Sequence, residues 1–226
     1  MNRQWNRRPL IDLHTHTFLS DGELLPEELV RRCETHGLEA VVVGDHVGLS
    51  NLQFVLDAHT RLCETVKGVA SVAAVPGCEL THVNPKLAAR AVAEARGAGA
   101  RIVIGHGETI AEPVALGSNR AYIEAGVDVL AHPGLISIED ARLAAERGVC
   151  LEVSGRKGHC LANGHVVRMA RESGAGLVFG SDAHGPADLM NCETAEKVLR
   201  GAGMTEDEIA GLWKRARQLI EQGEPH

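Results

Sequence analysis

The chain has 226 residues, a formal net charge of −7, 44% apolar residues and only 3% aromatic ones. That length suits one α/β domain, and a core of this composition must be packed with Val, Ala, Leu and Ile. The acidic balance leaves no basic footprint for extended nucleic acid, although bound divalent cations would reverse the local charge and admit a small anionic substrate.

Taken in chain order, short Val- and Ile-rich runs alternate with amphipathic segments. The opening MNRQWNRRPLIDL carries arginines but no apolar run of signal-peptide length. A first strand is expected at Leu10–Leu13, then a helix opened by Pro26, Glu27 and Glu28 and stopped at Gly37. The second strand is Ala40–Val43, and the helix after it stops near Gly68. The third strand, Ala70–Val75, precedes an Asn84-Pro85 helix start and a stop at Gly97. Arg101–Ile104 and Val127–Leu130 follow, with Gly126 between them as the next stop. Ser137 caps a helix ending at Gly148; Val149–Val153 leads to a helix start at Asn163 and a stop at Gly174. Leu177–Phe179 is the seventh strand, and a helical pattern from about Thr205 to Gln222 closes the chain. Strict alternation of this kind means a parallel sheet with right-handed crossovers, buried on both faces. A single domain spanning 1–226 is expected, with its core at about 10–200. No stretch reaches the roughly 20 apolar residues that span a bilayer. The cysteines at 33, 63, 78, 150, 160 and 192 form no C-x-x-C pair, so reduced thiols and a cytoplasmic setting are expected.

Polar residues gather where the strands end. Strand one runs into His14-Thr15-His16 and a Ser20-Asp21-Gly22 turn; strand two ends in Asp45-His46 and strand three in Gly77-Cys78-Glu79. Strands four and five end in His106 and His132, strand six in Glu152-Val153-Ser154-Gly155-Arg156, and strand seven in Ser181-Asp182-Ala183-His184. In parallel α/β folds that edge is where sites are built, and its crowding favours a closed barrel over an open sheet. Residues i and i+2 of an extended segment point to one side, so His14 with His16, and Asp182 with His184, can each grip one ion. Glu79 can bridge two ions. Imidazole and carboxylate without thiolate suit Zn, Mn or Fe, and the supply is enough for two or three such ions.

The segments DLHTHTFLSDG, VVVGDH, PGCEL, IGHGE, LAHPG and GSDAH resemble the PHP family, named for polymerase and histidinol phosphatase domains, from about Leu10 to about Arg200. The resemblance implies a distorted seven-stranded, TIM-barrel-like (β/α)7 barrel and a trinuclear centre. His14, His16, Glu79 and Asp182 would hold the first ion; Glu79, His106 and His132 the second; Asp21, His46 and His184 the third. Gly44 stands where the family usually has threonine. HGETIAEPVALGSN and SGRKGHCLANGH resemble a histidinol-phosphatase-like subgroup. The expected activity is hydrolysis of a small phosphate monoester such as histidinol phosphate, with a hydroxide held between two ions attacking phosphorus. Asp182, His184 and Glu79 are the expected catalytic groups. Arg156, whose planar fork suits phosphate, is the expected substrate contact, followed by Lys157 and His159. Asn119, Arg120 and His165 are weaker candidates for substrate contact. His82, three residues after Glu79, is expected in a supporting or loop role, with metal ligation the lesser reading, and His36 and His59 in none. The competing expectations are a nucleotide phosphoesterase, an amidohydrolase-type C–N hydrolase and an inactive metal-binding module.

Overall fold

The computed structural model describes residues 10–222. The arginines preceding Leu10 that were read for a targeting signal lie outside this range. The elements are β1 (Ile11–Thr15), α1 (Pro26–His36), β2 (Ala40–Val43), β3 (His46–Val47), α2 (Leu52–Val66), β4 (Ala73–Leu80), α3 (Ala88–Gly97), β5 (Ile102–His106), α4 (Ser118–Ala125), β6 (Val129–Ala131), α5 (Ile138–Arg147), β7 (Cys150–Ser154), α6 (Asn163–Ser173), β8 (Leu177–Gly180), α7 (Cys192–Gly201) and α8 (Glu206–Gln222).

All strands pair in parallel in the order β1-β2-β4-β5-β6-β7-β8, with β3 beside β4. The sheet returns on itself through a Thr15–Ala183 bridge, where His16 N–H donates to Ala183 at 2.8 Å and Asp182 N–H donates to His14 at 2.8 Å. The result is a distorted, nearly closed seven-stranded barrel: the strand ends favoured closure, and the family resemblance implied the distortion. The two-residue β3 was not expected. It continues the β2 register on β4 after a break at Gly44-Asp45, so it extends a strand already counted. β4 also runs further than expected, through Pro76 to Leu80, because its second half pairs with β3 and β5.

Local signals explain most of the ends. Ser137 Oγ accepts the Asp140 N–H at 3.0 Å, and Glu139 and Asp140 complement the positive end of α5. Gly37, Gly126, Gly148 and Gly174 cap their helices in the left-handed conformation. Asn84 caps a short 3-10 turn at Pro85–Leu87, which delays α3 to Ala88. Asn163 starts α6, but its side chain is spent on β7: Oδ1 accepts from Ser154 N and Nδ2 donates to Ser154 O.

Alternate strand residues fill the barrel with an apolar cluster of Ile11, Leu13, Ala40, Val42, Val75, Ile102, Ile104, Val129, Ala131, Cys150 and Val178. Ala216 of α8 joins this cluster, and Leu219 and Ile220 pack against it. Helix α8 therefore plugs the end where the strands begin, pinned by an Arg101 guanidinium that donates to Ile220 O at 2.6 Å. Residues of the opposite parity, such as Val41, Val103, Leu151 and Phe179, pack outward against the helices. Among the described residues no helix is long and apolar enough to cross a membrane.

Candidate metal centre

The inward positions that are apolar at the base become ligand-bearing at the mouth. On β5 the series is Ile102, Ile104, His106; on β4 it is Val75, Gly77, Glu79; on β7 it is Cys150, Glu152, Ser154. β1 breaks parity. Its pairing with β2 is irregular between Asp12 and Thr15, and past Ile11 and Leu13 the inward places pass to His14 and His16. Gly180 is required beside them, since a Cβ there would run into Glu152 Oε1 and come within 2.6 Å of His14 Cβ. His132 and Asp182 are held at φ 29° and 54°, a left-handed backbone that non-glycine residues avoid. Such strain persists only where surrounding structure enforces it, and it is concentrated at functional sites.

The ligand atoms converge. His16, Asp21, His46 and His184 form one group within 4.8 Å; His14, His16 and Asp182 form a second, and His14, Glu79 and His132 a third. His14 Nε2 lies 3.0 Å from His16 Nε2 and 3.5 Å from Glu79 Oε2. His16 Nε2 lies 3.2 Å from Asp182 Oδ1, and His184 Nε2 lies 3.1 Å from Asp21 Oδ1. His14, His16, Glu79, His132 and Asp182 are all buried, whereas the Asp21 side chain is half exposed.

Electrostatics holds this cluster together. Burial opposes the charge on Glu79, but His14, His106 and His46 outweigh it and hold the carboxyl well below its usual range. Burial likewise opposes the charge on Asp21, and hydrogen bonds from His184 and His46 overcome it. His46 responds in the other direction: burial disfavours its cation, yet Glu79 and Asp21 push it up to about 10. His16, with desolvation dominant, falls to about 4.

The residues present fit divalent cations. Glu79 Oε1, His16 Nδ1 and His132 Nδ1 are buried side-chain atoms without a hydrogen-bond partner, and buried polar atoms are seldom left in that state. Two imidazole Nε2 atoms face each other at 3.0 Å, a geometry natural to two ligands of one cation. The clusters can chelate two or three divalent ions.

A second layer orients the first. Glu152 accepts from His14 Nδ1 at 2.8 Å and from the His132 N–H at 2.9 Å, which leaves His14 Nε2 to face the centre. Asp45 is not a ligand. It accepts from Thr17 N, Thr17 Oγ1, Ser20 Oγ and His59 Nε2, all within 2.7 Å, and so shapes the turn that carries Asp21. His59, assigned no role from its helical setting, is the buried imidazole that ties Asp45 to Gly77 O.

Other candidates divide. Arg156 lies at the mouth, with Nη1 donating to Asp182 O at 3.2 Å. His159 is buried in a ligand-capable group with His132 and Asp182, its ring stacked on His132 at 4.1 Å. Lys157 is exposed. Asn119 is a buried loop latch between Glu108 and Pro133, Arg120 pairs with Asp140, and His165 bonds Ile136 O, so none of these three reaches the centre. His106 turns its Nε2 toward Glu112 at 3.1 Å while its ring lies edge-on to His132 at 4.6 Å. Neither Glu112 nor the orienting role of Glu152 was foreseen. A carboxylate embedded in an otherwise small and apolar loop was the only available signal for Glu112.

No family model matches the chain. An uncharacterized protein of Methanocaldococcus jannaschii is 41% identical over 200 residues, covering 88% of this chain and 92% of that one. A Thermoanaerobacter protein named probable phosphatase is 39% identical over 95 residues, covering 36% of this chain and 38% of its own. The chain and this Methanocaldococcus jannaschii protein belong to one family, and the domain is a PHP-like metal-binding domain. The barrel also resembles solved structures in fold. A Xaa-Pro dipeptidase superposes with a TM-score of 0.62 at 15% identity, covering 94% of this chain and 76% of that one. A Listeria monocytogenes protein provisionally assigned as a histidinol phosphatase gives 0.55 at 14% identity, covering 80% and 97%. The site is that of a metal-dependent hydrolase, in a fold shared by phosphoesterases and amidohydrolases.

Proposed function

We propose that the protein hydrolyses a small-molecule phosphate ester with two or three bound Zn, Mn or Fe ions. The observation that carries this reading is the meeting of three ligand groups and the Arg156 guanidinium at one barrel mouth. The partial relative named as a phosphatase supports it. Bound ions would supply a nucleophile at neutral pH and neutralise charge on the transferring group. The chain would hold them through His14, His16, Asp21, His46, Glu79, His106, His132, Asp182 and His184. Glu79 and Asp182 contribute the buried negative charge, and Glu152 fixes the tautomer of His14. Arg156 would grip two phosphate oxygens with its planar fork, while its bond to Asp182 O keeps the guanidinium beside the ligands. His159 would border the substrate between Thr109 and Asp182.

The second reading is C–N bond hydrolysis, and the fold favours it: the dipeptidase overlays better than the histidinol phosphatase homologue does. A nucleotide phosphoesterase would use the same centre. One panel separates the three. Phosphate release from histidinol phosphate, sugar phosphates and mononucleotides is measured beside dipeptide and N-acyl amino acid cleavage, with Mn or Zn added and Asp182→Asn as control. Release of phosphate that Asp182→Asn abolishes is the expected result. Amide cleavage with no phosphate release would replace it with the second reading, and activity on nucleotides alone would move the substrate class.

A further inference from the structure

One ligand group at the mouth joins an expected metal ligand, His106, to two residues outside the nine expected ones. His82, His106 and Glu112 present ligand atoms within 4.8 Å of one another. Glu112 Oε2 lies 3.1 Å from His106 Nε2 and 3.8 Å from His82 Nε2, and Glu112 Oε1 lies 3.5 Å from His159 Nε2. Every ion pair of this carboxylate among the described residues is with an imidazole; no Lys or Arg shares it.

The loop that delivers Glu112 is built to hold it there. Between β5 and α4 its base is latched: Asn119 Oδ1 accepts from Glu108 N at 2.8 Å, and Glu108 Oε1 accepts from Gly117 N at 2.9 Å and Asn119 N at 3.0 Å. Thr109 Oγ1 is hydrogen-bonded to His159 Nδ1, which fixes the near side of the loop to the rim after β7. Pro113 disfavours helical backbone at Glu112, and Glu112 O accepts the Val114 N–H at 3.0 Å in a tight turn around Pro113. On the opposite side His82 is held at φ 51°, and its ring centroid stands 5.0 Å from that of His106. A left-handed histidine is a costly way to place a ring that has no task.

We propose that Glu112 and His82 complete a cation position at the rim on His106, so that the ion held by His106 takes a carboxylate ligand from the β5–α4 loop. This rests on the metal-centre reading above. Two imidazoles and one carboxylate match the donor set of an open zinc-type site and leave coordination positions free for substrate. The expected occupant is a divalent first-row cation. Glu112 would then be a ligand supplied by a loop, unlike the ligands fixed to strand ends.

The test is titration of chelator-stripped full-length protein with Zn or Mn, followed calorimetrically and by metal content after dialysis. Glu112→Gln and His82→Ala should each weaken one and the same class of site by about tenfold or more. Glu112→Asp should recover part of that loss. Asp21→Ala should weaken a different class. Unchanged isotherms and metal content in Glu112→Gln and His82→Ala would overturn the proposal while leaving the centre intact. A wild-type protein that takes up no ion would overturn the metal centre itself. Thermal melts of the stripped variants show that each is folded, and Glu112, on an exposed loop, is not needed for the core.

Discussion

The two ends of the barrel use the same strands for opposite ends. At the base, inward residues such as Ile102, Val75 and Val178 make a dry apolar layer sealed by Ala216 of α8. Two inward steps later the same strands, or the residues just past them, carry His106, Glu79 and Asp182, all buried and all charged or ligand-bearing. Burying such groups is unfavourable unless they are paired or bound to metal. The base therefore provides the folding free energy, and the mouth draws on a barrel already closed. Stability and ion binding should separate by position along a strand.

Three substitutions break or sharpen that separation. The largest effect should come from the base: Ile102→Ala leaves a cavity in the closed layer and should cost about 2–5 kcal/mol in denaturant unfolding of the metal-free protein. Its metal content per folded chain should stay at the wild-type value; a fall would show that base and mouth are coupled. Next, Asp21→Ala removes the carboxylate of a half-exposed group. The metal-free stability should change by less than about 1 kcal/mol, because exposed pairs are screened. One class of site should weaken about 100-fold, at about 1.4 kcal/mol per tenfold, measured by competition with a coloured chelator. The smallest effect should be Glu152→Gln, which keeps an acceptor for His14 Nδ1 but removes its charge. Metal affinity should drop about tenfold. If Glu152→Gln weakens binding as much as Asp21→Ala does, Glu152 is more than an orienting group.

Much of this was legible in the chain itself. The seven apolar runs, Ser137, and glycines such as Gly37 and Gly148 marked elements that the structure contains, because each signal is local: a buried strand needs a short apolar run and a helix end needs a cap. Pairs spaced by two, His14 with His16 and Asp182 with His184, pointed to the mouth for the same reason. What could not be read was anything set by a partner distant in sequence. Glu152 bonds His14 across 138 positions, and His59 looked idle until its ring was seen against Asp45. The parity change within β1 was also hidden, since strict alternation of Ile11, Leu13 and Thr15 would have turned both histidines away from the interior.

By itself the sequence determined the βα alternation, the apolar inward series at the base and the kinds of ligand at each strand end. Those follow from periodicity and from side-chain chemistry that every local window carries. Only the tertiary structure decided that β8 closes against β1, which histidines share a carboxylate, and that Glu112 reaches His106. These depend on barrel curvature and on loops meeting in space, where separation along the chain says nothing about distance.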